Sequence, residues 1–168
     1  MKVALIVAMD REGGIGKNND LMWHLPADMR FFKATTTGHV VVLGRKNYES
    51  IPERFRPLPD RENAVLTRNK NYRAPGCVVF YSLEECLEHY QRETERTIFI
   101  IGGGEIYKQA LETGVVNELY ITHVDKVYDA DTFFPKIDLS GWIATTVQLQ
   151  QPDERHEAGF KIAHYIRP

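Results

Sequence analysis

Two hydrophobic periods alternate along the first two thirds of the chain, and only one persists to its end. Val3-Ala4-Leu5-Ile6-Val7-Ala8 is a continuous apolar run, the pattern of a strand covered on both faces. His39–Leu43, Asn63–Thr67, Cys77–Phe80, Thr97–Ile101 and Asn117–Val124 repeat that pattern at intervals. Helical stretches separate most of them. Leu25-Pro26 reads as an extended residue followed by the first residue of a helix, because proline needs no amide donor there. That helix runs to about Thr35, where Thr35-Thr36-Thr37-Gly38 ends it. A second helix opens at Gly44 and runs to Ile51. A third is capped by Ser82 with Glu85 in capping-box register and continues through about Arg92, charged over most of its surface. A fourth opens at Gly102 and ends near Gly114. Residues 143–150 and 159–166 then alternate apolar and polar, as an antiparallel pair joined by Gln151–Ala158.

Strands alternating with helices first, and strands alone afterwards, predict an α/β architecture. The expectation is a mostly parallel eight-stranded sheet with an antiparallel C-terminal edge, flanked by about four helices. Two loops stand out. Asp10–Leu21 holds Gly13, Gly14 and Gly16 and is long for a connector, with Ile15 and Trp23 as apolar groups to pack it down. Pro52–Asp60 holds three prolines and is expected to be a stiff surface loop.

Composition narrows the function classes. With 168 residues, 43% of them hydrophobic, the expectation is one domain spanning 1–168 with a core of its own. A net charge of −2 gives no long-range attraction to nucleic acid or to an anionic membrane. No apolar run approaches the ~20 residues that cross a bilayer, and the run after Met1-Lys2 stops at Asp10-Arg11 without a cleavage signal. The two cysteines, Cys77 and Cys86, make neither a disulfide framework nor a zinc pattern. The six histidines never pair at ligand spacing, so no metal site is expected. The expectation from these features is a cytoplasmic protein with both thiols reduced.

Two features carry candidate chemistry. Asp28 falls in the first turn of its helix, with Leu25, Phe31 and Phe32 on the same face and Trp23 nearby. One reading is an acid favoured by the helix dipole; the other is a pocket carboxylate whose burial raises its pKa and suits it to proton work. Gly102-Gly103-Gly104 lies at a strand-to-helix junction, where the absence of side chains lets the backbone approach a pyrophosphate. It is not a full dinucleotide fingerprint, because Tyr107 occupies the third glycine position. Gly44 opens a second such junction. Arg45, Lys46, Arg68 and Lys70 all follow the carboxyl ends of strands, the ligand-binding edge of an open α/β sheet. Arg68 beside Thr67 suits a terminal phosphate such as the one that separates NADP from NAD. No activated serine or cysteine accompanies them. One acid, apolar walls and a dinucleotide cradle point to hydride transfer by a bound cofactor.

The order of these segments resembles bacterial dihydrofolate reductases over essentially the whole chain. The matching stretches are Gly14-Ile15-Gly16, Trp23-His24-Leu25-Pro26-Ala27-Asp28, Phe32-Lys33, Gly44-Arg45, Glu49-Ser50-Ile51, Arg56–Arg61, Ile101–Tyr107 and Asp131–Pro135. The resemblance implies NADPH-dependent reduction of 7,8-dihydrofolate to tetrahydrofolate, in support of one-carbon and thymidylate metabolism, by a monomer that also binds antifolate-type molecules. It implies that Asp28 holds the pterin and promotes protonation, with Trp23 holding an associated water and Thr122 as hydroxyl partner. Ile6, Met29, Phe32, Ile51 and Leu58 become substrate walls, and Arg61 the clamp for the glutamate tail, where a bidentate guanidinium outperforms a lysine. Ala8, Ile15, Gly16 and Asn47 become the nicotinamide surroundings, under a mobile loop over residues 10–24. Gly44, Arg45, Lys46, Leu66, Thr67 and Arg68 become the phosphate contacts. Ile101, Gly102, Gly103, Gly104, Glu105, Ile106 and Tyr107, with Thr132, become the pyrophosphate turn, carrying a cis peptide between Gly102 and Gly103.

Three positions depart from the family pattern: Met22 where proline is frequent, Asn47 where threonine is common, and a loop lengthened by Pro52–Phe55. Two other classes share parts of the constellation. A pyrimidine reductase of riboflavin synthesis is expected to lack the pairing of Asp28 with Arg61. A non-enzymatic NADP-binding or folate-storing module would have no use for the complete set.

Overall fold

The apolar runs become the middle of one sheet. The computed structural model describes residues 1–168. In chain order it contains β1 (Lys2–Met9), β2 (Gly14–Gly16), α1 (Pro26–Thr36), β3 (Val40–Gly44), α2 (Arg45–Ser50) and β4 (Glu62–Leu66). There follow β5 (Val78–Phe80), α3 (Leu83–His89), β6 (Thr97–Gly102), α4 (Gly104–Thr113) and β7 (Glu118–Val124). The chain closes with β8 (Thr132–Phe133), β9 (Ile143–Gln150) and β10 (Phe160–Ile166). Eight strands form the main sheet in the order β5-β4-β3-β6-β1-β7-β10-β9. The first six are parallel to their neighbours, and β10 runs antiparallel to both β7 and β9. The mixed sheet with an antiparallel C-terminal edge is the architecture the patterning predicts.

Alternate residues of the central strands separate into two cores. Val3, Leu5 and Val7 of β1, with Val40, Val42, Ile98 and Ile100, pack against Leu83, Cys86 and Leu87 of α3 and against Tyr107 and Ala110 of α4. Ala4, Ile6, Val41 and Phe99 face the other way, toward Phe31 and Phe32 of α1. Strands buried on both sides have no polar face, which is why their sequences read as unbroken apolar runs.

Four details differ from the sequence expectations. The glycine-rich loop contains β2, whose partner β8 arrives from more than a hundred residues away, with Gly16 opposite Thr132; no local pattern announces such a pairing. The proline-rich loop includes one tight helical turn over Glu53–Phe55. α3 is not a solvated layer, since Leu83, Cys86 and Leu87 lie in the core, and it stops at His89. Tyr90, buried and hydrogen-bonded through its hydroxyl to the Glu62 carboxylate, ends it there. Its capping box is half reciprocated: Ser82 Oγ accepts from the Glu85 N–H at 3.0 Å, but the Glu85 carboxylate accepts from Tyr81.

Candidate active site

Parallel strands deliver their carboxyl ends to one edge of the sheet, and the site is built there. β1 and β6 pair only from Lys2↔Thr97 to Leu5↔Ile100. Beyond that point β1 continues beside β7 to Met9, while β6 continues beside β3 to Gly102. The two central strands therefore part, and a crevice opens between them. The Tyr107 hydroxyl lies in this gap, 2.8 Å from the Ile6 carbonyl and 2.9 Å from that of Ile101.

Asp28 stands on one wall. Pro26 begins α1 with an amide that needs no partner, and the Asp28 N–H returns to the Leu25 carbonyl at 3.0 Å. Leu25 is fully buried and fixes the helix start. From β7, Thr122 donates its hydroxyl to Asp28 Oδ1 at 2.6 Å. Burial raises the Asp28 carboxyl above its ordinary range, and the Thr122 bond opposes that rise without cancelling it. Trp23 is buried beside it, its ring 5.1 Å from that of Tyr128. Of the two readings of Asp28, the pocket carboxylate is the one the geometry supports.

Apolar groups line the same wall. Ile6 shares a cluster with Phe32 and Leu58, Ile51 packs on the neighbouring cluster around Leu43 and Tyr48, and Met29 is half exposed at the lip. Arg61 lies at the far end. Its Nε donates to the Pro59 carbonyl at 2.9 Å and its Nη1 to Thr36 Oγ1 at 3.1 Å, with the guanidinium 5.8 Å from the Phe32 ring. One terminal nitrogen thus carries no bond to the protein.

The glycine junctions form the opposite wall. Gly44 lies opposite Leu66, and Leu43 opposite Gly102, so Arg45, Lys46, Thr67 and Arg68 emerge beside the triple glycine. The Gly102-Gly103 peptide is cis, and Gly102 has φ 119°. A side chain at Gly102 would meet Asn47 Nδ2 and Tyr107 at 3.2 Å, and one at Gly104 would meet Thr132 Cγ2 at 3.1 Å. At Gly103, the residue before the first turn of α4, a Cβ would meet nothing within 4 Å. The backbone here faces open space.

The glycine-rich loop spans both walls. Ala8 lies opposite Thr122 in the β1–β7 register, Ile15 approaches Gly104, and Gly16 pairs with Thr132. Asn19 Nδ2 reaches the Lys46 carbonyl at 2.8 Å. Asn47 also has a bond within the protein, from Nδ2 to the Ile101 carbonyl at 3.2 Å, which ties α2 to β6. Two residues expected at the pyrophosphate turn have other engagements: Tyr107 is buried with its hydroxyl on the two strand carbonyls, and the exposed Glu105 carboxylate is bonded to Gln109 at 3.3 Å.

Three organising residues escape the sequence reading. Asp10 is buried, and its carboxylate accepts from the N–H groups of Glu12, Gly14 and Tyr128 at 2.8–2.9 Å. An Asx-type turn, an acid followed closely by glycines, was the available signal. Asn63 is buried and bonds both backbone groups of Leu58 at 2.9 Å, securing the proline-rich loop between a wall residue and Arg61. His156 accepts from the Ala27 N–H at 3.1 Å, and nothing local marks it.

Glycine junctions at the carboxyl edge of an α/β sheet, with a largely desolvated carboxylate at the same edge, are the arrangement of an oxidoreductase that works with a dinucleotide. A sequence model of the dihydrofolate reductases matches residues 2–167, and the chain belongs to the dihydrofolate reductase family. It is 38% identical over 167 residues to the dihydrofolate reductase of Staphylococcus haemolyticus, covering 99% of this chain and 96% of that one. It is 43% identical over 142 residues to the type 3 dihydrofolate reductase of Salmonella typhimurium, covering 84% and 83%. Among solved structures, dihydrofolate reductase from Enterococcus faecalis complexed with NADP(H) and RAB-propyl superposes with a TM-score of 0.88. That match has 38% identity and covers 99% of this chain and 96% of the other. No helix is long and apolar enough to cross a membrane.

Proposed function

We propose that this chain catalyses the NADPH-dependent reduction of 7,8-dihydrofolate to 5,6,7,8-tetrahydrofolate, with hydride transfer to C6 and protonation of N5. The observation that carries the reading is the Asp28–Thr122 pair, a desolvated carboxylate placed across a crevice from the glycine cradle.

The chain's own residues divide the work. Thr122 uses one lone pair of Asp28 Oδ1, and the lone pairs left on the two carboxylate oxygens can accept from the 2-amino group and N3 of the pterin. Because its carboxyl is raised by burial, Asp28 holds a proton to higher pH than an exposed acid and favours the protonated pterin tautomer electrostatically or through water. Trp23 would hold that water. Ile6, Phe32, Ile51 and Leu58 exclude bulk solvent from the ring, Met29 covers its edge, and Arg61 offers its free nitrogen to the α-carboxylate of the glutamate tail.

NADPH, when bound, supplies the hydride. The open backbone at Gly103 and the tight packing at Gly102 and Gly104 fit a pyrophosphate. Gly44, Leu66, Ile101, Ile106 and Thr132 would line its path, Arg45, Lys46, Thr67 and Arg68 would hold the phosphates, and Ala8, Ile15, Gly16 and Asn47 would surround the nicotinamide. Dihydrofolate and antifolate-type inhibitors are the small-molecule partners. The enzyme acts as a monomer in the cytoplasm, where the unpaired Cys77 and Cys86 stay reduced. The test is NADPH oxidation in the presence of dihydrofolate: dihydrofolate-dependent turnover is expected, and none at saturation would remove the proposal.

A further inference from the structure

α1 carries the Asp28 carboxylate, yet its start lacks a cap of its own. The N-cap residue is Leu25, whose side chain offers no acceptor, and Pro26 has no N–H. The N–H groups of Asp28 and Met29 return to the Leu25 carbonyl at 3.0 and 3.1 Å. That leaves the Ala27 N–H, in a residue only 5% exposed, and a buried donor of this kind needs an acceptor. His156 supplies it from 129 residues away: its Nε2 lies 3.1 Å from the Ala27 nitrogen.

The chemistry fixes the tautomer. A backbone N–H can only donate, so Nε2 must be the unprotonated nitrogen, and Nδ1 carries the hydrogen. Nδ1 lies 2.9 Å from Asp153 Oδ1, a carboxylate oxygen that accepts that hydrogen. Asp153 also accepts from the backbone of Arg155 and His156, and two backbone bonds between Asp153 and His156 close the turn on itself. The imidazole is 4% exposed and packs 6.0 Å from the ring of Phe160, which shares an apolar cluster with Trp23, Leu25 and Ala27. Asp153, His156 and Ala27 therefore form one chain of hydrogen bonds from a surface turn to the residue that precedes Asp28.

We propose that His156 is a positioning residue for Asp28: acting as a long-range cap on α1, it sets the helix start and with it the alignment of the carboxylate toward the pterin and Thr122. This rests on the function proposed above. A generic core histidine would only stabilise the fold. A positioning histidine acts on the substrate half of the crevice and leaves the glycine cradle, on the opposite wall, untouched. A displaced start of α1 also lengthens the Asp28–Thr122 contact, which is short at 2.6 Å.

The test compares His156→Leu, which removes the acceptor, with His156→Gln, whose amide oxygen can take the Ala27 N–H. For His156→Leu, kcat/KM for dihydrofolate is expected to fall about ten- to a hundred-fold, since misplacements of about 1 Å have effects of that size. The Kd for NADPH should stay within about two-fold, and His156→Gln should recover most of the loss. Amide exchange at Ala27 should quicken in His156→Leu and remain slow in His156→Gln. Exchange reads the cap even in a protein that turned over no dihydrofolate, so failure of the functional reading is told apart from failure of this one. Unchanged kcat/KM in His156→Leu, parallel loss of NADPH affinity, or a His156→Gln as impaired as His156→Leu would overturn the proposal. If His156→Leu does not fold, Asp153→Ala decides. Its exposed side chain is expendable for the core, and the freed imidazole should give the same selective loss to a smaller degree; wild-type kinetics there would overturn the inference.

Discussion

Thr122 Oγ1 meets Asp28 Oδ1 at 2.6 Å, across 94 residues of chain, and this bond joins the helix that carries the acid to β7, the strand beside β1.

Asp28→Asn separates the two consequences of burial. The folded-state pKa of Asp28 is raised above its unfolded value, so the native state binds this proton more tightly than the unfolded chain. Relative to acid pH, stability is therefore lost as pH rises through the folded pKa, and at neutral pH the ionised group opposes folding. The isosteric amide should raise Tm at neutral pH by about 2–4 °C for each kcal/mol relieved, and the gain should vanish at about pH 3. Activity should fall about a hundred-fold or more at neutral pH and recover in part at acid pH, where dihydrofolate is already protonated. Thermal melts and pH–rate profiles of the variant check both; an unimpaired enzyme would refute the role.

Arg61→Lys tests the tail clamp. A lysine cannot hold Thr36, Pro59 and a carboxylate in one plane, so KM for dihydrofolate should rise about ten-fold. Dihydropteroate, which has no glutamate tail, should be turned over as by the wild type. An equal effect on both substrates would place Arg61 outside the clamp.

Arg68→Ala addresses cofactor choice. Thr67 Oγ1 already accepts from the Asn69 N–H at 3.1 Å, and Arg68 stands exposed beside it at the phosphate edge. Loss of a charge-assisted contact should raise KM for NADPH about ten- to a hundred-fold and leave NADH unaffected. An unchanged NADPH-to-NADH ratio would remove Arg68 from the 2′-phosphate site.

Asp10→Ala should loosen the glycine-rich loop. Three N–H groups lose a charged acceptor, at a cost of about 2–3 kcal/mol and a fall in Tm of roughly 4–12 °C. Amide exchange at Glu12, Gly14 and Tyr128 should accelerate together. Protection unchanged at all three would contradict the anchoring role.

Local pattern carried most of the fold. The buried strands, the start of α1 at Pro26 and the antiparallel tail lie within a residue or two of where the patterning predicts them. What stayed hidden depends on distant partners. Gly16 finds Thr132, Ala27 finds His156, and Asp10 finds Tyr128, each across more than a hundred residues. Sequence spacing is blind to such pairs. Asp28 and the triple glycine stand out locally because each breaks a rule, an acid on an apolar stripe and three residues that weaken any helix they begin, whereas Arg61 is singled out only by the family resemblance. Tyr107 has a structural role that its stretch does not announce: its hydroxyl is turned inward to Ile6 and Ile101.

That inward hydroxyl bears on how a sheet can contain a slot at all. Where β1 and β6 separate, each strand surrenders ladder partners, and orphaned carbonyls there favour re-closure of the seam. A phenol has one hydrogen for two acceptors, so Tyr107 shares or alternates it between Ile6 and Ile101. It is a peg held in an unzipped fabric. The width of the gap between the strands is thereby tied to a residue of α4, the helix that opens at the triple glycine, so the two sides of the crevice share a common gauge.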